Sequence, residues 1–325
     1  MRACIVGVGA IGGFLGARLS EAGCEVSAVA RGATAAALRT HGLRVQSGNG
    51  IASARVSVAE DPAALGAQDL VIVAVKGPAM ADVAARIAPL LHADTMVLTA
   101  MNGVPWWFFH GFGGRFAGTR LQSIDPDGAI AAAIPDHHVV GCVVHMSCAT
   151  VEPGLTRHVF GNQLIIGDPD GRISPRIEAL AETLTRAGFA TTVSASIQSD
   201  IWYKLWGNMT MNPVSALTGA TADRIIADPL VNRFCLDVMA EAAAIGTAIG
   251  CPIAQSGEER IDVARKLGAF KTSMLQDVEA GKPVELDALV TVVREIGERA
   301  GIATPRIDTL LGLARVQAQV RGLYP

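Results

Sequence analysis

The chain has 325 residues, of which 50% are hydrophobic and 18% are charged, so it can bury a large core and is long enough for two domains. A formal net charge of -3, with no block of lysine and arginine, argues against nucleic acid or a membrane surface as the main partner. No segment has the roughly 20 uninterrupted apolar residues of a membrane span. The six cysteines form no C-x-x-C pair and no zinc-like spacing with histidine, so we expect reduced thiols, a cytoplasmic protein and no metal site.

The first thirty residues predict one βαβ unit. The segment "ACIVGVGAIGGFLGARLSEAGCEVSAVARG" combines an apolar strand at residues 3–7, a helix at about 11–22 and a second strand at 25–30. A glycine-rich turn joins the first strand to the helix. This order predicts an α/β domain with a doubly wound sheet of the Rossmann type.

Gly7, Gly9 and Gly12 of that turn match the G-x-G-x-x-G pattern of dinucleotide-binding folds. The first glycine permits the tight turn, the second lets the backbone approach a pyrophosphate, and the third lets the helix pack on the strand. Ala10 and Ile11 open the predicted helix, whose N-terminal N–H groups and macrodipole favour an anion. We therefore predict that these five residues bind the phosphates of a nucleotide coenzyme.

Arg31 follows the second strand, at the position whose side chain determines coenzyme specificity in this fold class. NAD-binding sites usually carry Asp or Glu there, because a carboxylate accepts hydrogen bonds from the ribose hydroxyls. A guanidinium instead suits a 2′-phosphate, so the sequence predicts NADP(H) rather than NAD(H) or FAD. The alternative is an ordinary surface arginine after a strand.

Two later apolar runs, "DLVIVAVKG" (69–77) and "TMVLTAMNG" (95–103), are typical of parallel strands buried on both faces. They end in Lys76 and Asn102. Because ligands bind outside the carboxyl ends of such strands, we expect both side chains near the nicotinamide. Either residue could instead cap a helix or a turn. Residues 137–169 alternate like antiparallel or mixed strands at the far edge of the sheet.

Six aromatic side chains crowd the segment "VPWWFFHGFGGRFAG". They could form a hydrophobic lid beside the active site or a surface flap used for dimerisation, and the sequence does not separate these possibilities. The aromatic residues are Trp106, Trp107, Phe108, Phe109, Phe112 and Phe116.

From about residue 196 the pattern becomes helical almost to the end, with prolines near helix starts and glycines near helix ends or bends. The predicted domains are therefore 1–195, an NADP-binding Rossmann-type domain, and 196–325, an all-helical substrate and catalytic domain. Within "KLWGNMTMN", Lys204, Asn208 and Asn212 lie four residues apart, which places them on one helix face where all three could reach one ligand. The alternative is a helix on which these three residues form an ordinary solvent-exposed face.

These residues resemble the ketopantoate reductases (2-dehydropantoate 2-reductases), NADPH enzymes made of a Rossmann domain and a helical domain. The resemblance covers the whole chain, from "GVGAIGGFLGARL" through "VKG", "NG" and "WYKLWGNMTMNPVSALTG" to "SMLQDVEAGKPVELDAL". The two C-terminal motifs are specific, whereas the glycine motif alone is not. The resemblance implies NADPH-dependent reduction of 2-dehydropantoate to pantoate, in pantothenate biosynthesis.

The resemblance also implies roles for individual residues. Lys204 is expected to be the general acid that protonates the developing alkoxide, since an ammonium both donates a proton and stabilises negative charge. Asn208 and Asn212 are expected to bind substrate oxygens and Ser273 the substrate carboxylate, although a serine at a helix start is also a common cap. Glu285 is expected to be catalytic by orienting Lys204 and ligand hydroxyls, although a glutamate in the first turn of a helix is also commonplace. Lys76 and Asn102 match residues that the family places at the coenzyme, and Asn102 also at the substrate.

Two positions depart from the family pattern. Met101 stands where the family often has Gln before the Asn-Gly pair, and Ala79 stands where it often has Gln after the lysine that matches Lys76. These changes alter the walls of the pocket and leave the hydride-transfer residues in place. The sequence therefore supports the reaction type better than the substrate.

Several alternatives stay open from sequence. The same chemistry could act on another 2-oxo acid or a bulkier ketone, if the aromatic segment faces the substrate. The 3-hydroxyacid dehydrogenases share the Lys-x-x-x-Asn pair but fit the second Asn and the late Ser and Glu less well. A non-catalytic NADPH sensor is disfavoured by the complete set of polar residues, because a sensor needs no proton donor. The apolar C-terminal helices and the aromatic segment make a homodimer plausible.

Overall fold

A computed structural model describes residues 1–48 and 50–325 of the chain. In this part of the chain a 10-stranded mixed sheet has the order β4-β3-β9-β8-β7-β6-β1-β2-β5, and β10 pairs with β9 off that path. The strands are β1 (Arg2–Val6), β2 (Glu25–Val29), β3 (Leu43–Ser47), β4 (Gly50–Ala54), β5 (Ser57–Ala59), β6 (Leu70–Val73), β7 (Met96–Thr99), β8 (Val139–Glu152), β9 (Leu155–Gly167) and β10 (Ala190–Val193).

The centre of the sheet is parallel and covered on both faces. β1 pairs in parallel with β2 on one side and with β6 on the other, and β7 continues the parallel order beyond β6. Every residue of β6 and of β7 is buried, as expected where helical crossovers cover both sides of a parallel sheet. The carboxyl ends of these four strands meet at one edge. The predicted Rossmann-type α/β fold is confirmed.

β8 and β9 form a long antiparallel hairpin, as the alternating sequence predicted. Its predicted position at the edge of the sheet is wrong, because β3 pairs in parallel with the start of β9 and β4 then closes that side. The strand β3, "LRVQS", is short and half-polar. Its partner lies far along the chain, and strand periodicity contains no information about such a distant partner.

Helices alternate with several of the strands along the chain and make up most of the C-terminal half. None of the helices in the described residues is long and apolar enough to cross a membrane. The helices are α1 (Ala10–Glu21), α2 (Gly32–His41), α3 (Met80–Arg86), α4 (Ala129–Ala133), α5 (Pro175–Arg186), α6 (Ile197–Thr218), α7 (Ala222–Ala227), α8 (Pro229–Ile249), α9 (Gly257–Arg265), α10 (Ser273–Glu279), α11 (Val292–Ala300) and α12 (Pro305–Val320), with a π-helical turn at Asp287–Thr291 before α11.

The helix boundaries follow local chemistry. Pro229 and Pro305 occupy the first positions of α8 and α12, where a residue without an N–H group loses no helical hydrogen bond. The carboxylate of Asp228 caps α8 by accepting from two backbone N–H groups. Gly301 ends α11 with a φ of 72°, which is the left-handed conformation that favours glycine. These proline and glycine positions confirm the predicted helix starts and ends.

The chain divides into two compact units. The first comprises Met1–Asn102 and Gly128–Asp200, and the second comprises Gly103–Asp127 and Ile201–Pro325. The boundary predicted from sequence instead falls after residue 195, which places the whole of 103–127 in the N-terminal domain. The coenzyme and substrate roles assigned to the two domains stay predictions.

Hydrogen bonds explain why 103–127 belongs to the second unit. The Val104 N–H donates to the Ala288 carbonyl over 2.9 Å. The backbone N–H groups of Gln122 and Ser123 each donate to the Glu295 carboxylate over 2.8 Å. These acceptors lie in or next to α11, so both ends of the segment are held by the helical part of the chain.

The aromatic segment forms part of the core of the second unit. Trp106, Trp107, Phe108 and Phe109 are all at most 3% exposed. Phe108 packs edge-on against Phe109, with ring centroids 5.2 Å apart, and lies 6.0 Å from the ring of Trp202 on α6. A surface flap for dimerisation is therefore the wrong interpretation, because these rings are inside the protein.

Candidate active site

Four of the residues predicted to bind the coenzyme line one cavity in the first unit, whereas Ala10, Ile11, Gly12 and Asn102 are not among its lining residues. The cavity has a volume of about 380 Å³ and lies at the carboxyl ends of β1, β2 and β6. Its wall includes Gly7, Gly9, Arg31 and Lys76. This is the sheet edge at which parallel α/β folds bind their ligands.

The structure favours glycine at these three positions for different local reasons. Gly7 adopts a φ of 98°, and a Cβ there would lie 2.7 Å from Cγ1 of Val75. A Cβ on Gly12 would lie 2.1 Å from the Gly7 carbonyl oxygen, so only glycine lets α1 approach β1 this closely. A Cβ on Gly9 would meet no described atom within 4 Å. The space in front of Gly9 is therefore open to a ligand, as the pyrophosphate interpretation requires.

The polar groups of this cavity fit an anionic dinucleotide. Ala10 and Ile11 form the start of α1, where backbone N–H groups have no carbonyl partner within the helix and favour phosphate. The Arg31 guanidinium and the Lys76 side chain bring positive charge to the same cavity. No acidic residue ends β2, since Arg31 follows Ala30 there.

Two further charged residues line the cavity and were missed by the sequence analysis. Asp82 and Arg86 lie four residues apart on α3, and the Asp82 carboxylate lies 3.2 Å from the Arg31 guanidinium. An acid and a base at this spacing are common on any exposed helix face. Only the tertiary structure shows that both side chains reach the end of β2.

Lys76 and Asn102 follow adjacent strands of the sheet. Lys76 comes after β6 and Asn102 after β7, and because these strands pair in parallel, their ends meet at the same edge. Both side chains are half-buried. The glycine after Asn102 has its own structural reason. Gly103 has a φ of 86°, and a Cβ there would lie 2.3 Å from the Ala288 carbonyl oxygen in the π-helical turn.

In the second unit, α6 carries the three polar residues predicted to bind the substrate. Lys204, Asn208 and Asn212 recur every four residues and so share one face of the helix. The side chains of Lys204 and Asn208 are half-buried, and Asn212 is only 6% exposed. The predicted polar face on a continuous helix is present.

Apolar residues on other faces of α6 hold the helix in the core. Trp202 and Trp206 are nearly completely buried, and their indole N–H groups donate to carbonyls of α8, at Ala242 over 3.2 Å and at Met239 over 2.8 Å. Leu205 is also buried. These contacts fix the rotation of α6 about its axis, and therefore the direction of its polar face.

The structure brings two of the predicted substrate residues together. The Asn212 amide nitrogen lies 3.5 Å from the Ser273 hydroxyl, although the residues are 61 positions apart in sequence. Thr272, and not Ser273, caps α10, because its hydroxyl accepts from the Leu275 N–H group. This excludes the capping interpretation of Ser273. Glu285 is half-buried and precedes the helical segment that contains the π turn.

Arg260 is a second cation beside α6 that the sequence analysis did not single out. Its guanidinium lies 4.8 Å from the ring centroid of Tyr203, the residue before Lys204. A Cβ on Gly207 would come within 3.0 Å of this guanidinium. The absence of a side chain at Gly207 therefore lets Arg260 lie against the helix.

Comparisons with known proteins agree with this arrangement. The family described as "Ketopantoate reductase PanE/ApbA" matches residues 3–107, and "Ketopantoate reductase PanE/ApbA C terminal" matches residues 196–318. A 2-dehydropantoate 2-reductase from Mesorhizobium japonicum is 45% identical over 325 residues, covering 100% of both chains. A protein of the same name from Halobacterium salinarum is 31% identical, covering 97% of this chain and 98% of its own.

A solved structure gives the same result. The crystal structure of a candidate ketopantoate reductase from Ralstonia solanacearum superposes with a TM-score of 0.95 at 60% identity, covering 99% of each chain. The two family matches cover more than half of the chain, and the relatives match it along its whole length. The chain therefore belongs to the ketopantoate reductase family.

Proposed function

We propose that this protein is an NADPH-dependent reductase that converts 2-dehydropantoate to pantoate. The observation that carries the proposal is the polar face of α6, where Lys204, Asn208 and Asn212 interrupt an otherwise apolar helix and Asn212 lies 3.5 Å from Ser273. A proton donor beside several neutral hydrogen-bonding groups suits a small anionic ketone. The names of the full-length relatives support the same substrate.

In this proposal the residues of the second unit bind and protonate the substrate. A reduced nicotinamide, when bound, supplies the hydride for the carbonyl carbon. Lys204 donates a proton to the carbonyl oxygen as negative charge develops there, and its ammonium stabilises that charge. Asn208 and Asn212 donate hydrogen bonds to substrate oxygens, and Ser273 donates to the carboxylate. Glu285 orients Lys204 through its negative charge.

The choice of NADPH rests on the first unit. Arg31 follows β2 and lines the cavity, and a guanidinium there attracts a 2′-phosphate and offers no acceptor for a ribose hydroxyl. Gly7, Gly9, Ala10, Ile11 and Gly12 surround the position that we assign to the pyrophosphate, and Lys76 and Asn102 lie at the adjoining strand ends. A nicotinamide coenzyme is common to the enzyme family, and its phosphorylated form is our proposal.

A bulkier ketone is the less supported substrate. That alternative required the aromatic segment to face the ligand, and Trp106, Trp107, Phe108 and Phe109 are buried in the core of the second unit. The prediction of a homodimer also loses the support of the aromatic segment and now depends on the apolar C-terminal helices alone. The cytoplasmic location also stays a prediction.

The test is the NADPH-dependent turnover of purified protein with 2-dehydropantoate, followed by loss of NADPH absorbance, with a panel of other 2-oxo acids and with NADH. We expect 2-dehydropantoate to be the best substrate. Lys204→Ala should lower kcat by about 100-fold to 10,000-fold without weakening NADPH binding. Lys266→Ala, a lysine outside α6, is the matched control and should behave like the wild type. Tight NADPH binding without turnover of any 2-oxo acid would favour the sensor instead.

A further inference from the structure

Asp82 lies between two arginines in the coenzyme cavity. Its Oδ2 oxygen lies 3.2 Å from Nη2 of Arg31 and 3.7 Å from Nη1 of Arg86. The second terminal nitrogen of Arg86, Nη2, donates to the backbone carbonyl of Glu60. This hydrogen bond anchors the Arg86 guanidinium. Arg31, Asp82 and Arg86 all line the cavity. One carboxylate oxygen therefore neutralises part of the charge of two guanidinium groups.

Two guanidiniums converging on one oxygen form the arrangement that a phosphate group prefers, because each guanidinium can donate several parallel hydrogen bonds to its oxygens. The location is also informative. Arg31 follows β2, where this fold class reads the ribose 2′ substituent of its coenzyme. The Asp82 carboxylate thus occupies, in the protein itself, the place of an anion between two cations.

We propose that Asp82 is a specificity-determining residue that competes with the coenzyme 2′-phosphate for Arg31 and Arg86. This inference rests on the proposed function, since it assumes a nicotinamide coenzyme in this cavity. NADPH must displace the carboxylate from both arginines, and Arg86 then becomes a second ligand of the 2′-phosphate. NADH has a 2′-hydroxyl and leaves the ion pairs in place. Asp82 therefore reduces the preference for NADPH.

The exposure of the three side chains permits this exchange. The Asp82 side chain is 49% exposed, so its carboxylate can turn into water when a phosphate takes its place. Arg86 is less exposed, at 31%, and its hydrogen bond to Glu60 holds it in position for either anion. A phosphate dianion attracts both guanidiniums more strongly than a carboxylate with one charge does.

The test measures equilibrium binding of NADPH, NADH, adenosine 2′,5′-bisphosphate and adenosine 5′-monophosphate to the full chain. Asp82→Asn should bind NADPH and the bisphosphate about tenfold more tightly, with NADH and the monophosphate changed by less than about twofold. Arg86→Gln should bind NADPH and the bisphosphate about tenfold more weakly, again with little effect on the other two.

Matched controls remove the same charges from the same unit but outside this cavity. Arg39→Gln replaces an exposed arginine of α2 whose ion-pair partner is Glu60, and Glu21→Gln replaces the partner of Arg18 on α1. Both controls should keep the wild-type ratio of NADPH to NADH affinity. If Arg86→Gln fails to fold, Asp82→Asn alone decides.

Two results would overturn the inference. An unchanged NADPH to NADH ratio in Asp82→Asn would show that the carboxylate does not compete with the phosphate. Weaker NADPH binding in Asp82→Asn would show that Asp82 instead positions the arginines for the phosphate. In both cases the wild type still binds NADPH, so the proposed function stands. A wild type that binds neither NADPH nor the bisphosphate would overturn the proposed coenzyme together with this inference.

Discussion

Adding one methyl group should damage different properties at two glycines of the same turn. At Gly12 a Cβ would lie 2.1 Å from the Gly7 carbonyl oxygen and 3.1 Å from Cγ2 of Ile5, so α1 would have to move away from β1. At Gly9 the Cβ would meet no described atom within 4 Å, and the φ of -92° is open to alanine. Gly12→Ala should therefore damage the fold, and Gly9→Ala should damage only coenzyme binding.

The expected magnitudes follow from these distances. Gly12→Ala overpacks a buried contact and should lower the free energy of unfolding by about 1–3 kcal/mol or more. For Gly9→Ala, the loss of a favourable N-cap residue and the reduced entropy of the unfolded chain nearly cancel, so the free energy of unfolding should change by less than about 1 kcal/mol. The added methyl group fills the space proposed for the pyrophosphate. NADPH affinity should therefore fall at least about tenfold.

Urea unfolding gives the stability of each variant, and titration of NADPH fluorescence gives its affinity. Gly312→Ala is the control, because Gly312 lies inside α12 and, its own helix backbone and chain neighbours aside, no described atom lies within 4 Å of the Cβ position. It should stabilise the helix by about 0.5–1 kcal/mol and leave NADPH binding unchanged. Wild-type NADPH affinity in Gly9→Ala would refute the assignment of the pyrophosphate, and wild-type stability in Gly12→Ala would refute the packing argument.

Two further predictions concern stability in the second unit. Burial raises the pKa of Glu295, but hydrogen bonds from the Ser123 hydroxyl and from backbone N–H groups outweigh it, so the pKa lies below its ordinary value of 4.5. Glu295→Gln should therefore lower the free energy of unfolding, measured with urea at neutral pH, by about 1.5–3 kcal/mol. The difference from wild type should shrink as the pH falls below 4.5, because the carboxylate of the wild type is then protonated. A difference that persists in acid would contradict this explanation. In the described residues the buried indole N–H of Trp107 has no hydrogen-bond partner, whereas that of Trp202 donates to the Ala242 carbonyl. Trp107→Phe should thus destabilise the protein by about 1–3 kcal/mol less than Trp202→Phe, and equal losses by calorimetry would refute the argument.

Features that depend on neighbouring residues are predictable from the sequence alone. The order of strand, glycine-rich turn and helix at the N-terminus follows from the local spacing of Gly7, Gly9 and Gly12 between two apolar segments. The shared face of Lys204 and Asn212 follows from the period of an α-helix. Such features need no information about distant residues, since backbone geometry and side-chain periodicity set them locally.

Features that depend on residues far apart in the chain became visible in the folded protein. The 103–127 segment joins the second unit because its N–H groups donate to Ala288 and Glu295, which no local pattern indicates. Asp82 meets Arg31 across 51 positions of sequence, and its helix spacing alone resembles any solvated surface. These contacts arise where packing brings distant elements together, and a single sequence contains no periodicity that specifies which elements will meet.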